Sequence, residues 1–169
     1  KHWHKSTLWE EATRVLFIIS APGLPPGLCD HPVSLLDIYP TLIDLAGLSE
    51  LNSHDGVSLK PLLQDPTTQW NRPAVIEYQR GNAAVRSSRY RYIRYRSGSE
   101  ELYDHKTDPH EWRNLTASPD HLAVKKEHAS WITKKWADSA PTKSAFRFDH
   151  ETFTWTNKET GAVTKGKNE

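Results

Sequence analysis

Lys5-Ser6-Thr7-Leu8-Trp9-Glu10-Glu11-Ala12-Thr13-Arg14 runs directly into Val15-Leu16-Phe17-Ile18-Ile19 and then into Ser20-Ala21-Pro22-Gly23. A lysine precedes an aromatic-acid-acid step, an arginine closes the segment, and an unbroken apolar run follows. That run is β-branched and aromatic and is bounded by turn formers. Its length and composition predict a strand buried on both faces, as in a parallel sheet.

Outward from this stretch, 23–31 is a turn-rich loop holding the single cysteine, Cys29. Residues 37–46 predict a helix, with Asp37 as its cap, Pro40 in its first turn and Gly47 as its stop. Ile38, Leu42, Leu45 and Ala46 are its expected apolar face. Residues 55–63 read as a turn and a short helix. From Arg72 the pattern changes to short strands at 74–79, 83–88, 91–96 and 101–104, with Ser97-Gly98 turning the chain: a small antiparallel meander. Ser118-Pro119-Asp120 opens a helix whose stripe is Leu122, Ala129, Ile132 and Trp136, placed to cover that sheet. After Pro141 the chain is polar, with Phe146, Phe148, Phe153 and Trp155 spaced along it, and reads as an extended tail.

Lys and Arg number 22 against 21 acids, so there is no bulk attraction to polyanions. The meander is rich in Arg and Tyr, but Arg89, Arg91, Ile93 and Tyr95 alternate against Tyr90, Tyr92, Arg94 and Arg96. Neither face is a clean basic-aromatic platform, which argues against nucleic acid and leaves the arginines as a solvated flank. The apolar run 15–19 is far too short for a membrane span. One cysteine excludes an internal disulfide. Mean hydropathy is −0.73 with 36% hydrophobic residues, and there is no methionine, position 1 included. The expectation is a C-terminal part of a longer protein, whose signal peptide, if any, lies upstream.

The first stretch fits K-x-[ST]-x-[aromatic]-[acid]-x-x-x-R. Further on come Asp37-Ile38-Tyr39-Pro40-Thr41-Leu42, then Gly56-Val57-Ser58-Leu59-Lys60-Pro61-Leu62-Leu63, then Arg91-Tyr92-Ile93-Arg94-Tyr95. Glu101-Leu102-Tyr103-Asp104 and Asp108-Pro109-His110-Glu111 before Asn114-Leu115 complete the course. Together these resemble the C-terminal part of the formylglycine-dependent sulfatases of the alkaline-phosphatase-like superfamily, most of all the bacterial iduronate- and choline-sulfatase-like enzymes. Some of those carry histidine where Ala83 stands.

The resemblance implies the end of an α/β sandwich over 1–71, a small antiparallel sheet with one covering helix over 72–140, and the tail over 141–169. It implies hydrolysis of sulfate esters, of a sulfated small molecule or polysaccharide, by a periplasmic or secreted enzyme. The nucleophile, a formylglycine made from Cys or Ser, and the ligands of a divalent cation, usually Ca2+, are expected upstream. Cys29, followed by Asp-His-Pro, lacks the Cys/Ser-x-Pro/Ala-x-Arg context of that nucleophile. Lys5 would bind the sulfate as the catalytic cation. His2 would border the same pocket, and Arg80 and Asn82, between the first two meander strands, would contact the rest of the substrate. No residue of the chain is assigned as a metal ligand. The alternatives are a phosphatase or phosphodiesterase of the same superfamily and a non-catalytic glycan-binding module.

Overall fold

The computed structural model describes residues 6–49, 54–137 and 145–165. The chain forms two compact units, one ending at Trp136 and the other beginning at Ala137. The first is centred on a four-stranded antiparallel sheet, β1 (Ala74–Glu77), β2 (Ala83–Arg86), β3 (Tyr90–Arg94) and β4 (Glu100–Asp104), in sequential order. The sequence predicts these strands to within two residues at each end.

Strand alternation gives the sheet two unlike faces. Ala83, Val85, Tyr92 and Leu102 form one, under Val124, Ala129, Ile132 and Trp136 of helix α4 (Leu122–Ser130) and the turn beyond it. Leu122 is 48% exposed and lies outside the stripe expected for it. The helix ends at Ser130, and His128 joins the apolar face, its Nε2 lying 2.9 Å from Ser87 Oγ. On the opposite face Ala84, Ile93 and Tyr103 pack against Leu8, with Trp9, Ile76 and Tyr95 at the margin. The sheet is therefore covered by a helix on one side and on the other by the segment that opens the chain. Asn114 protects edge strand β4, donating from Nδ2 to Glu100 O at 3.1 Å and accepting from Leu102 N at 3.1 Å.

Between these parts, α2 (Ile38–Leu45) starts from a 3₁₀ turn, Leu35–Asp37. Asp37 stands at the N-cap of α2 but makes no capping bond onto it; Ser34 caps the 3₁₀ turn, its Oγ accepting from Leu36 N, while Asp37 Oδ2 accepts from Ser34 N at 2.8 Å, a reciprocal capping box. The other oxygen of Asp37 accepts from Val57 N at 2.9 Å, and Thr41 Oγ1 accepts from Leu59 N at 2.9 Å. Consequently the buried face of α2 is Asp37, Pro40 and Thr41, which receives the backbone of 56–59. Leu42, placed on the expected apolar face, is 57% exposed. Helix α3 (Lys60–Gln64) follows, tied back by Lys60 Nζ to Asp44 Oδ1 at 2.7 Å.

Two larger expectations fail as well. Residues 15–19 form no strand, and Leu16 and Ile18 are 87% and 76% exposed. A strand buried on both faces needs partners on both edges to satisfy its backbone, and none of the described residues pairs with it. The expected extended tail is instead a second sheet, β5 (Phe146–Asp149), β6 (Thr154–Asn157) and β7 (Val163–Lys165), antiparallel and in sequential order. Asp149 Oδ1 accepts from Glu151 N at 2.8 Å and Asn157 Oδ1 from Glu159 N at 2.9 Å, building the two turns, and Phe148 packs on its cross-strand neighbour Trp155. Among the described residues no helix is long and apolar enough to cross a membrane.

Gly56 shows how closely the α2 clasp is drawn, since a Cβ there would lie 2.1 Å from Leu36 O, a backbone atom that cannot swing away. Gly56→Ala in the complete protein should therefore destabilise the fold by about 1–3 kcal/mol, the range for overpacking. The measurement is the urea midpoint at unchanged m value.

Candidate functional site

The face of the sheet opposite α4 carries charge in its centre. Cross-strand pairing sets Arg86 directly opposite Arg91, and Arg91 opposite Tyr103. Like charges facing each other across a ladder repel. Here Glu10, from helix α1 (Glu10–Thr13), closes the gap. Its Oε2 accepts from Arg86 Nε at 3.1 Å and from Arg91 Nη2. Arg91 is almost wholly buried, at 1% exposure, which overturns its reading as part of a solvated flank. Its remaining nitrogens are also engaged: Nη1 donates to Leu8 O at 2.8 Å, and Nε lies 2.7 Å from Glu111 Oε1 as an off-axis ion contact.

Glu111 is the second carboxylate of the cluster. Its Oε1 also meets His105 Nε2 at 2.8 Å, while its Oε2 accepts from the backbone N of Glu10 at 2.8 Å. To present both oxygens inward, Glu111 takes a φ of 57°, the left-handed region that non-glycine residues seldom occupy. The turn that holds it is built by Asp108, whose Oδ2 accepts from Arg113 N at 2.8 Å. Next to this cluster, Glu101 takes hydrogen bonds from Trp9 Nε1 at 2.7 Å, Tyr103 OH at 3.0 Å and Tyr95 OH at 3.2 Å. Burial, and then the charge of Glu101, push both of these tyrosines well above the ordinary phenol value, so they remain donors.

Leu8, Trp9 and Glu10 are thus each pinned to the sheet or to the loop after it. Immediately before them, Ser6 turns with a φ of 82°. Ser6 and Thr7 line a cavity of about 220 Å³ with Tyr78, Gln79, Asn82 and Tyr95. This cavity is where the opening segment meets the β1–β2 hairpin. Within the hairpin, Tyr78 N donates to Asn82 O at 3.1 Å, and Gln79 and Gly81 have φ of 56° and 94°. Asn82 is half-buried, and its Oδ1 accepts from Arg96 N at 3.1 Å.

Of the residues singled out from sequence, Asn82 lines the cavity, and Arg80 sits on the exposed tip of the same hairpin without lining it. Lys5 and His2 lie outside the described residues; Lys5 precedes Ser6 in sequence. Glu10, Arg91, Glu111 and Glu101 were not singled out as site residues. Cys29 is exposed and unpaired by disulfide.

One trio of side chains able to ligate a metal converges among the described residues, Glu10, His105 and Glu111. It does not fit calcium, which takes six to eight oxygen ligands. The carboxylates already face Arg86 and Arg91, and a divalent cation would have to enter against those two guanidiniums. The trio is an ion-pair cluster.

Over residues 1–138 the chain matches the family described as N-sulphoglucosamine sulphohydrolase, C-terminal. It is 40% identical over 111 residues to a sulfatase from Formosa agariphila, covering 65% of this chain and 22% of that protein. It is 36% identical over 139 residues to the delta 4,5-hexuronate-2-O-sulfatase of Bacteroides thetaiotaomicron, covering 75% of this chain and 29% of that protein. The chain thus spans less than a third of the length of these relatives. Among solved structures, the phosphonate monoester hydrolase from Silicibacter pomeroyi shares the fold, with a TM-score of 0.54 at 24% identity over 66% of this chain and 26% of that one.

The ion-pair cluster has a pH signature. Burial alone would raise the Glu10 carboxyl, but Arg91 and then Arg86 outweigh it and hold its pKa below the ordinary 4.5. The native state therefore takes up this proton at lower pH than the unfolded chain does. Its stabilisation is complete above about pH 4.5 and drains away as pH falls through the lowered native value. Glu10→Gln in the complete protein should lower stability at pH 7 and flatten the loss in that acid window, as read from urea midpoints against pH. Arg91→Met should be worse at neutral pH, costing about 3–5 kcal/mol, because it takes the guanidinium from Glu111 and leaves Glu10 with Arg86 alone.

Proposed function

Because the chain belongs to the N-sulphoglucosamine sulphohydrolase C-terminal family, we propose that it supplies the sulfate-binding lysine and one wall of the substrate cleft in a sulfuric ester hydrolase. The observation that carries this reading is the cavity where Ser6 and Thr7, next to Lys5, face Asn82, Tyr78 and Tyr95. A family motif for the reacting group and a hairpin suited to the rest of the substrate border one space.

The assigned roles follow from the chemistry of sulfate transfer. As the S–O bond breaks, negative charge grows on the sulfate and leaving oxygens, and the Lys5 ammonium stabilises that state more than the ground state. His2 borders the same oxygens. Asn82, which lines the cavity, and Arg80 at the hairpin tip contact hydroxyl, carboxylate or a second sulfate of the substrate. Tyr78 and Tyr95 add the amphipathic surface that sugars stack on. The substrate class is a sulfated carbohydrate, in keeping with the hexuronate-2-O-sulfatase among the relatives.

When bound, a divalent cation such as Ca2+ would supply charge neutralisation at the sulfate. It and the formylglycine nucleophile belong outside the described residues of this chain. The enzyme is assigned to the periplasm or the exterior. The shared fold of the phosphonate hydrolase does not choose between sulfuryl and phosphoryl transfer. The Lys5–Arg14 motif and the sulfatase relatives favour the sulfuryl side.

In the complete enzyme, Lys5→Ala should lower kcat by roughly 10²–10³, the range for loss of one transition-state donor, with a smaller change in KM. Its thermal midpoint should match wild type, and retention of most of the kcat would end the assignment. Replacing Arg80 and Asn82 together by alanine should raise KM for a sulfated saccharide far more than for a small aryl sulfate. Equal effects on the two substrates would take the hairpin out of the site.

A further inference from the structure

The cavity walled by Thr7, Trp9, Tyr95 and Asn82 contains an unsatisfied hydroxyl. Thr7 Oγ1 is closed off from water and has no hydrogen-bond partner among the described residues. Buried polar groups nearly always have one, and a stranded hydroxyl is destabilising where an isosteric valine would not be. We propose that the cavity is a subsite for one sugar ring bearing free hydroxyls and no carboxylate or second sulfate, with Thr7 and Asn82 reading those hydroxyls. The inference deepens the proposed function and rests on its placing of this cavity in the substrate cleft.

Two wall residues supply the polar contacts. Asn82 Oδ1 accepts from Arg96 N at 3.1 Å, which fixes the orientation of the amide. Its Nδ2 makes no hydrogen bond among the described residues and is left as a donor. A threonine hydroxyl both donates and accepts, as sugar hydroxyls do. One step between staggered χ1 positions exchanges it with the methyl group and turns it toward a ring in the cavity. The other walls offer aromatic surface. Trp9 Nε1 and Tyr95 OH are both taken by Glu101, at 2.7 Å and 3.2 Å. What these residues have left is ring face and edge, suited to the C–H side of a pyranose.

Charge limits what the cavity accepts. Among the described residues that line it, none carries a charged side chain. The nearest charge tied to its wall is the Glu101 carboxylate, bound to Trp9 and Tyr95. A carboxylate or second sulfate seated there would shed water without gaining a cation, and would face that anion. Such groups are left to Arg80 on the hairpin tip, outside the cavity. At about 30 Å³ per water, 220 Å³ is room for about seven waters, which suits one ring and not a run of them.

The test uses the complete enzyme with a small aryl sulfate, a monosulfated disaccharide of otherwise neutral rings, and that disaccharide with a carboxylate on one ring or on the other. Thr7→Val should raise KM for the neutral disaccharide about three- to tenfold, the worth of one hydrogen bond. Its kcat, and both constants for the aryl sulfate, should stay within about twofold of wild type, the mark of lost uniform binding. Thr7→Ser should restore KM. The thermal midpoint of Thr7→Val should hold or rise, because a stranded hydroxyl is gone. One of the two carboxylate forms should fall by about tenfold or more in kcat/KM on the wild-type enzyme. An unchanged KM in Thr7→Val, a lowered thermal midpoint, or both carboxylate forms turned over as well as the neutral one would overturn the inference. If the Arg80 and Asn82 double alanine variant still raises the saccharide KM, that result leaves the proposed function standing. If the double variant is silent as well, the placing of the hairpin in the cleft fails with it.

Discussion

Two arginines face each other across neighbouring strands of a small sheet, and a glutamate from far along the chain sits between them. Arg86 and Arg91 would repel in that register if nothing lay above them. Glu10 removes the repulsion, and in doing so it fixes where the opening segment lies. Leu8 then falls into the apolar patch of Ala84, Ile93 and Tyr103, and Trp9 reaches Glu101. The sheet gains its second cover only because this pairing is satisfied. Without Glu10 one face would carry a buried guanidinium with a deficit of negative charge, which is among the costlier defects a fold can hold.

Glu111 completes that arrangement from the other side. The turn from Asp104 to Arg113 folds back so that its carboxylate meets Arg91, His105 and the backbone of Glu10 together. A strained φ at Glu111, with a backbone cost of about 1–3 kcal/mol, is sustained by the contacts it makes possible: hydrogen bonds with His105 Nε2 and Glu10 N and the ion contact with Arg91. Loop, sheet and opening segment are thus one cooperative cluster. Residues distant in sequence become mutual conditions for each other's geometry.

Much of this was legible in advance, and the parts that were not have physical reasons. The four strands and the covering helix follow from alternation, turn residues and the Ser118-Pro119 start, all local signals. Asn82 at the cavity follows from its place in the hairpin. Arg91 was misjudged because an arginine in a strand is usually at the surface, although it shares a face with Ile93, which is fully buried. Its burial is made tolerable by partners distant in sequence, Glu10 81 positions away among them, and pairing at that range leaves no local mark. The capping box on the 3₁₀ turn ahead of α2 was within reach, since Ser34-Leu-Leu-Asp37 is its pattern. The second sheet was missed although Asp149, Asn157 and Gly161 are turn signals, because its polar composition resembles that of a tail. For 15–19, composition reports what the run is suited to. Pairing depends on neighbouring strands that no property of the run itself provides.

An all-apolar contact between the opening segment and the sheet would be at least as stable, since buried ion pairs seldom outperform well-packed hydrocarbon. What apolar packing lacks is direction. Leu8 in its pocket tolerates small rotations of the backbone, whereas a guanidinium fork bound to a carbonyl and two carboxylates does not. The exposed apolar residues of the chain concentrate elsewhere, at Leu16, Ile18, Leu35, Leu36, Leu42 and Leu48. Apolar surface thus dominates the stretch 15–48, while directional charge is concentrated where the segment bearing Lys5 meets the sheet. Directional charge thus sets the position of Leu8–Glu10, a task in which the exposed apolar residues of 15–48 take no part.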